Sequence, residues 1–443
     1  MTQKNRTLSL LRTLGGTAVR AGADAVKKRL AEGRATREGR GIGELGSDAA
    51  NMLGSLAAER LVRGLDELKG AAMKFGQMLS LVDDALLPPG WKQALARLQS
   101  EATARPFSEV EPILRAEVPH YQARLASLEP EAVHAASIGQ VHRGVLNDGT
   151  PVAVKIRYPD LERWVKSDIK ALGRMLRFAN ALPSDGDFDE VFAQIEAIFL
   201  QEIDFAHEAD EYERFGGHFA AEPTVVVPRV VRDLSTRLIL VTEWVEGVNV
   251  DAWLSTPAAD ANTAEGKRAR GALTANILRV LFQEIFALGR VQSDPNPANF
   301  LVTPEGRLAL LDFGATQVVE PNLLEGYRDL SRACLYGTKA DVLRVSDRMG
   351  FLLPRDSAAA RDAFARMLAI ATEPFLREEY DFGRAGLVSR MRDVGFTFVK
   401  ETGVRPPPPG IVFLNRRIVG TQMLLERVGG VTDVRSLLLP HLT

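Results

Sequence analysis

One cysteine, Cys334, stands in 443 residues, so no internal disulfide can form and a reducing compartment is expected. The six histidines are scattered, and none lies at metal-ligand spacing from Cys334 or from another histidine, which argues against zinc. An excess of charge is missing as well. The net charge of −2 gives no electrostatic reason to expect nucleic acid as a partner. No apolar run approaches the roughly 18–20 residues that span a bilayer, and the closing "VRSLLLPHLT" is short and broken by Pro440. Charges interrupt the first residues, so no cleavable signal is expected. No internal repeat stands out. These absences predict a soluble cytoplasmic protein. What remains is ordinary globular material, 46% hydrophobic and 25% charged, long enough for about two to three domains.

The pattern along the chain divides it into four segments, 1–44, 45–130, 131–247 and 248–443. Residues 1–43 carry ten Lys or Arg against three acids in a loosely helical pattern. Such a basic amphipathic lead can make peripheral contact with an anionic membrane, and it also suits the commoner solvated helix. From about 45 to 128 the pattern is helical, with Leu61, Leu65, Leu68, Ala72, Phe75 and Leu79 forming one apolar stripe. Pro88, Pro89 and Gly90 end that helix. Near 134 the character changes. "IGQVHRGVL" and "PVAVKIR" read as strands around an Asp148-Gly149 turn, and "TVVVPRVV" and "STRLILVTEWV" as two more. Helical periodicity fills 160–215 and most of the chain beyond 260, with "RPPPPG" as a stiff connector before a last helix. The fold class is α+β: a helical preface, a small β-rich unit and a larger helical unit.

Residues 293–314, "SDPNPANFLVTPEGRLALLDFG", interrupt the helical part. "FLV" and "LALLDF" read as short buried strands joined by the turn "TPEGR". That hairpin carries Asn299 just before its first strand and Asp312 at the end of its second, with Asp294 five residues before Asn299. Singly, each is as easily a turn or cap residue. Upstream, "HAASIGQVHRG" puts small residues at Ala135, Ala136, Ser137 and Gly139 ahead of a strand, where backbone N–H groups can approach a phosphate. Lys155 ends "VAVK" among valines, where a lysine more often snorkels to the surface. "QEIDFAHEADEYE" gathers acids on a helix, which is either a solvated face or a partner for a cation such as Lys155. The order of these parts is that of the protein-kinase signature set: small-residue loop, strand lysine, helix glutamate, Asp–x4–Asn, Asp-Phe-Gly. A second "DFG" at 381–383 lacks an upstream Asp–x4–Asn and is a coincidence.

Four stretches resemble the UbiB/AarF group of atypical kinase-like proteins, the aarF-domain-containing kinases: "KFGQ" (74–77), "AASIGQVH" (135–142), "EIDFAHEA" (202–209) and "DPNPAN" (294–299). The resemblance runs from about residue 45 onward and implies a two-lobed protein-kinase-like fold with a helical K-x-G-Q extension. It implies ATP and Mg2+ as cofactors. Lys155 would hold the α- and β-phosphates and pair with Glu208. Ala135, Ala136, Ser137 and Gly139 would line the nucleotide loop, and the backbone of Glu243 and Val245, in "TEWV", would meet the adenine. Asn299 and Asp312 would bind magnesium, with Asp294 at the catalytic-base position. Lys74 and Gln77 would project over the pocket, facing Glu202 and Asp204, and restrict access by a protein substrate. The family's tie to isoprenoid quinone biosynthesis implies quinone precursors, or the enzymes that make them, as partners. Departures from the family pattern are Gln292 for a common His, Asn296 and Ala298 for His and Gly, and His134 for Ala. The implied function is an ATP-binding atypical kinase or ATPase. A nucleotide-sensing pseudokinase scaffold and, lowest, a small-molecule phosphotransferase are the alternatives.

Overall fold

The computed structural model describes residues 104–135, 138–159, 161–162, 196–197, 199–294, 296–403, 408 and 410–442. The basic lead, the stripe from Leu61 to Leu79, Lys74, Gln77, Ala136 and Ser137 lie outside the described residues. So do most of 160–200 and of the proline connector.

The chain divides into two compact units. One comprises Met1–Arg105, His134–Gln140 and Tyr158–Leu200. Its described part centres on Gln140, which is fully buried. Gln140 Oε1 accepts from the Arg105 N–H at 2.8 Å and from the Tyr158 hydroxyl at 3.2 Å, and its Nε2 donates to the Arg105 carbonyl at 3.0 Å. A buried amide satisfied on both ends is a fixed point for the chain around it.

The other unit comprises Pro106–Val133, Val141–Arg157 and Gln201–Thr443. In chain order the elements are α1 (Phe107–Glu117), β1 (Leu125–Ala135), β2 (Gly139–Leu146), β3 (Pro151–Arg157), α2 (Phe205–Phe219), β4 (Val225–Val226), β5 (Ile239–Glu243) and β6 (Val248–Asn249), the last residues of β1 and the first of β2 being counted with the first unit. The chain then runs α3 (Val250–Leu254), α4 (Ala264–Phe282), β7 (Arg290–Gln292), β8 (Phe300–Val302), β9 (Leu308–Leu310) and β10 (Thr316–Val318). It continues through α5 (Pro321–Tyr336), α6 (Lys339–Arg348), α7 (Ala358–Thr372), β11 (Tyr380–Asp381), α8 (Leu387–Thr402), α9 (Ile411–Val428), β12 (Val431–Thr432) and α10 (Val434–Leu438). The α+β class and the protein-kinase-like fold are as expected.

Strands β1-β2-β3-β5 form one sheet in that order. In β3, Val152, Val154 and Ile156 are fully buried, so the two-residue alternation of a strand sends Lys155 to the opposite face. Gly149 supplies the positive φ, +88°, that the β2–β3 turn needs. Strand β1 falls partly where a helical pattern was expected. It is a sheet-edge strand, mostly exposed, and so lacks the apolar alternation that marks a strand in sequence. "TVVVPRVV" is not one strand either. Val225 and Val226 pair in parallel with Leu308 and Ala309 in a second sheet, β4-β9-β8-β6, whereas Val230 bridges to Thr242 of β5. Pro228, without an N–H, falls between the two pairings.

Helix α4 continues as a π-turn, Gln283–Leu288, and stops at Gly289, φ +65°. By length and composition the combined 25 residues could cross a membrane. Among the described residues it is the one helix of that kind, and Arg279 and Glu284 lie within it. The apolar window is 61% buried, as befits a core helix. The second Asp-Phe-Gly serves the fold locally. Asp381 accepts from the Gly383 N–H at 3.0 Å, starting a helical turn, and Phe382 is buried.

Cys334 packs beside Leu330, Ala333 and Val345. Burial pushes its thiol up to about 11 from an ordinary 9.0. Near neutral pH that leaves roughly a hundredfold less thiolate, the reactive form. Iodoacetamide should therefore label the native protein at a small fraction of the rate seen in denaturant, and equal rates would place the thiol in open solvent.

Candidate active site

Helix α2 begins where Asp204 accepts from the Ala206 N–H at 3.1 Å, and one face of the helix is buried through Phe205, Glu208, Tyr212, Phe215 and Phe219. That face brings a fully buried Glu208 to the inner side of β3. Lys155 Nζ donates to Glu208 Oε1 and Oε2, each at 2.9 Å, and lies 3.6 Å from Asp312 Oδ2. It also sits 4.8 Å from the centre of the Phe205 ring, a cation–π contact. Burial works against the lysine's charge, but Asp312 and Glu208 outweigh it and hold its pKa above the ordinary lysine value. Burial pushes Glu208 up to about 7 despite Lys155, and the nearby Asp312 adds to the rise.

The hairpin reaches the same place from the other side. Phe300–Val302 pair antiparallel with Leu308–Leu310, around a turn in which the Gly306 N–H donates to the Thr303 carbonyl at φ +77°. The ladder continues one step further: the Leu311 N–H donates to the Asn299 carbonyl at 3.0 Å, setting Asn299 beside the residue before Asp312. Asp312 Oδ1 accepts from the Gly314 N–H at 3.0 Å. Phe313 is buried edge-on to Tyr212, centroids 4.6 Å apart, and lies 4.5 Å from the Phe215 ring, while the Tyr212 hydroxyl donates to the Leu311 carbonyl. Below, β7 and β10 pair Gln292 with Thr316, and Ser293 Oγ donates to the Ala315 carbonyl at 2.7 Å. The segments bearing Asp294 and Asp312 are thus tied together at their bases.

Asp294 accepts from Asn299 Nδ2 at 3.3 Å on Oδ2 and from Arg416 Nη2 at 3.1 Å on Oδ1. Sequence reasoning did not single out Arg416. Its neighbour Arg417 forms a buried bidentate pair with Glu284, at 2.8 and 3.0 Å. The signal was present as "NRR" inside an otherwise apolar helical pattern, but nothing in the sequence assigned those arginines partners more than a hundred residues away.

Two family departures have structural accounts. Asn296 caps the short turn before Asn299, its Oδ1 accepting from the Ala298 N–H at 3.0 Å. Gln292 is buried with neither amide atom hydrogen-bonded, opposite Thr316, whose hydroxyl is likewise unpartnered. Of the remaining expected residues, Glu202 is buried beside Gly314. Besides capping α2, Asp204 pairs with Arg237 at 3.0 Å. Glu243 ends β5 with its carboxylate on Arg229 Nε at 2.8 Å, and Val245 follows half-buried. Ala135 and Gly139 border the strand ends of β1 and β2 in the first unit.

The family model of the ABC1 atypical kinase-like domain matches residues 97–346, more than half the chain. The chain belongs to this family. The ABC1 domain spans every element of the site except α9, which brings Arg416 and Arg417. Among curated relatives, atypical kinase COQ8B, mitochondrial, of Rattus norvegicus is 31% identical over 437 residues, covering 97% of this chain and 79% of the relative. Atypical kinase COQ8, mitochondrial, of Saccharomyces cerevisiae is 27% identical over 377 residues, covering 84% and 73%. A solved structure described as the complex of Rv3197 with erythromycin from Mycobacterium tuberculosis aligns with a TM-score of 0.59 at 26% identity, covering 89% of this chain and 96% of that one. The UbiB/AarF resemblance is borne out.

Proposed function

We propose that the protein binds Mg-ATP and transfers its γ-phosphoryl group slowly, as an atypical kinase or ATPase of UbiB type. The observation that carries this is the pairing of Lys155 with the fully buried Glu208, with Asp312 3.6 Å from the same ammonium. A lysine so held presents a fixed cation to the α- and β-phosphates, with the loop of Ala135, Ala136, Ser137 and Gly139 as the backbone cradle and Glu243 and Val245 as the adenine edge. Asn299 and Asp312 fit magnesium by chemistry: both offer hard oxygen donors, and this ion is typically held by one or two carboxylates plus substrate phosphates. When bound, it would neutralise charge developing on the transferred group. Asp294 would accept the proton of the attacking hydroxyl or water.

The physiological role inferred is support of isoprenoid quinone or related lipid metabolism, with quinone precursors or their enzymes as partners and the basic lead as the membrane contact. Lys74 and Gln77, with Glu202 and Asp204, would hold the extension over the site against protein substrates. A second reading, a nucleotide-sensing scaffold without turnover, is favoured by one observation: both oxygens of Asp294 already accept from donors.

Thermal melting with nucleotide tests the binding reading. Mg-ATP at a hundred times its Kd should stabilise the parent by about 2.7 kcal/mol. Asp312→Asn, nearly isosteric, should lose most of that gain while its apo form melts close to the parent's. An undiminished ATP-dependent rise in the mutant would remove Asp312 from the metal site. ADP release measured with and without anionic liposomes then separates slow turnover from a scaffold.

A further inference from the structure

Arg416 lies on α9, in the residues after the family-model match, yet its guanidinium reaches the loop that carries Asp294. Its direction is fixed by the next residue. Arg417, on the same helix turn, is pinned to Glu284 by two hydrogen bonds in a fully buried pair, and this sets the rotation of α9 against the core. Arg416 therefore emerges at the catalytic loop by construction. The pair is partly shielded, with side-chain exposures of 19% for Arg416 and 25% for Asp294, so it is screened less than a surface pair. With Asn299 on Oδ2 and Arg416 on Oδ1, neither oxygen of Asp294 is without a donor.

We infer that Arg416 is a positioning residue that withholds Asp294 from hydroxyl acceptors and so keeps phosphoryl transfer slow. This rests on the proposed reaction and names a regulator of the same site. In that reaction the acceptor oxygen bonds to the γ-phosphorus while the bond from that phosphorus to the β–γ bridging oxygen breaks. ADP leaves, and the acceptor's proton passes to the Asp294 carboxylate. The acceptor's hydroxyl must reach an oxygen of Asp294, and the guanidinium on Oδ1 competes for that position. Arg416 is thus a brake acting through Asp294.

The test uses the full chain, Mg-ATP carrying a labelled γ-phosphate, and two readouts, phosphate incorporated into protein and ADP released. Arg416→Gln should raise incorporation about tenfold, equivalent to roughly 1.4 kcal/mol in barrier height, with KM for ATP little changed. Arg416→Lys, which keeps a cation within reach, should restore the slow rate. In an Asp294→Asn background the Gln substitution should give no gain, because the effect runs through Asp294. Melting curves accompany each variant, since a merely structural arginine would lower the melting temperature without speeding transfer. If Arg416→Gln folds and binds nucleotide as the parent does but incorporation is unchanged or lower, the brake is refuted. The same holds if Arg416→Lys is as fast as Arg416→Gln. Failure of the parent itself to bind Mg-ATP would instead refute the proposed function.

Discussion

Lys155→Met is expected to weaken Mg-ATP binding by roughly tenfold to a hundredfold, the loss of about 1.5–3 kcal/mol for a hydrogen bond to a charged group. Turnover should fall with it. The methionine fills the space but offers the phosphates nothing, and it leaves Glu208 fully buried without its cation. Glu208→Gln should be milder in affinity, because Lys155 still reaches the phosphates. The lysine mutant should also carry a signature in pH. Glu208 is raised to about 7 in the folded protein even with Lys155 beside it, against an ordinary 4.5. A carboxyl whose folded pKa is raised gives stability that is fully present below the unfolded value and lost as pH climbs through the folded one. Without Lys155 that folded value rises further, so the stability of the mutant should keep falling above pH 7 where this contribution in the parent has levelled off. Titration calorimetry and melting from pH 5 to 9 would check both. Equal and negligible effects of the two substitutions would mean that the pair is a bystander to nucleotide binding.

Arg417→Met should be the most destabilising of the substitutions considered. Glu284 and Arg417 are 1% and 2% exposed, and removing one partner of such a pair costs about 3–5 kcal/mol because the other charge is left buried. Burial already pushes the Glu284 carboxyl up against the pull of Arg417. At about 2–4 °C per kcal/mol in a domain of this size, a fall on the order of 10 °C in melting temperature is expected. Combining Arg417→Met with Glu284→Leu should recover much of the loss, since an apolar pair of similar volume removes the stranded charge. Melting of both variants beside the parent decides it. A double mutant no better than the single one would show that shape, not charge, is what the site requires.

The site was more legible in sequence than its supports were. Lys155, Glu208, Asn299 and Asp312 stand out because strand alternation, an acidic helix face and a turn-marked hairpin each leave a local pattern, and the structure brings all four together with Asp294. The edge strand β1 left none, because a strand exposed on most of its residues has no apolar period to read. The split of "TVVVPRVV" between two sheets depends on Val225 finding Leu308, far along the chain. The reach of Arg416 to Asp294 spans 122 positions, which no window captures.

Phe313 and the Leu311 carbonyl are both gripped by α2, through Tyr212 and Phe215, one and two turns beyond Glu208. The helix that supplies the partner of Lys155 and the loop that supplies Asp312 therefore cannot drift apart independently. Rotating α2 outward would strip Phe313 of its aromatic neighbours and break the Tyr212 hydrogen bond at the same moment. The two segments form one cooperative opening unit, and amide exchange in α2 and in 311–315 would be governed by a single event. A ligand held at Asp312, as proposed, would then be felt along α2 through Phe313 and the Leu311 carbonyl.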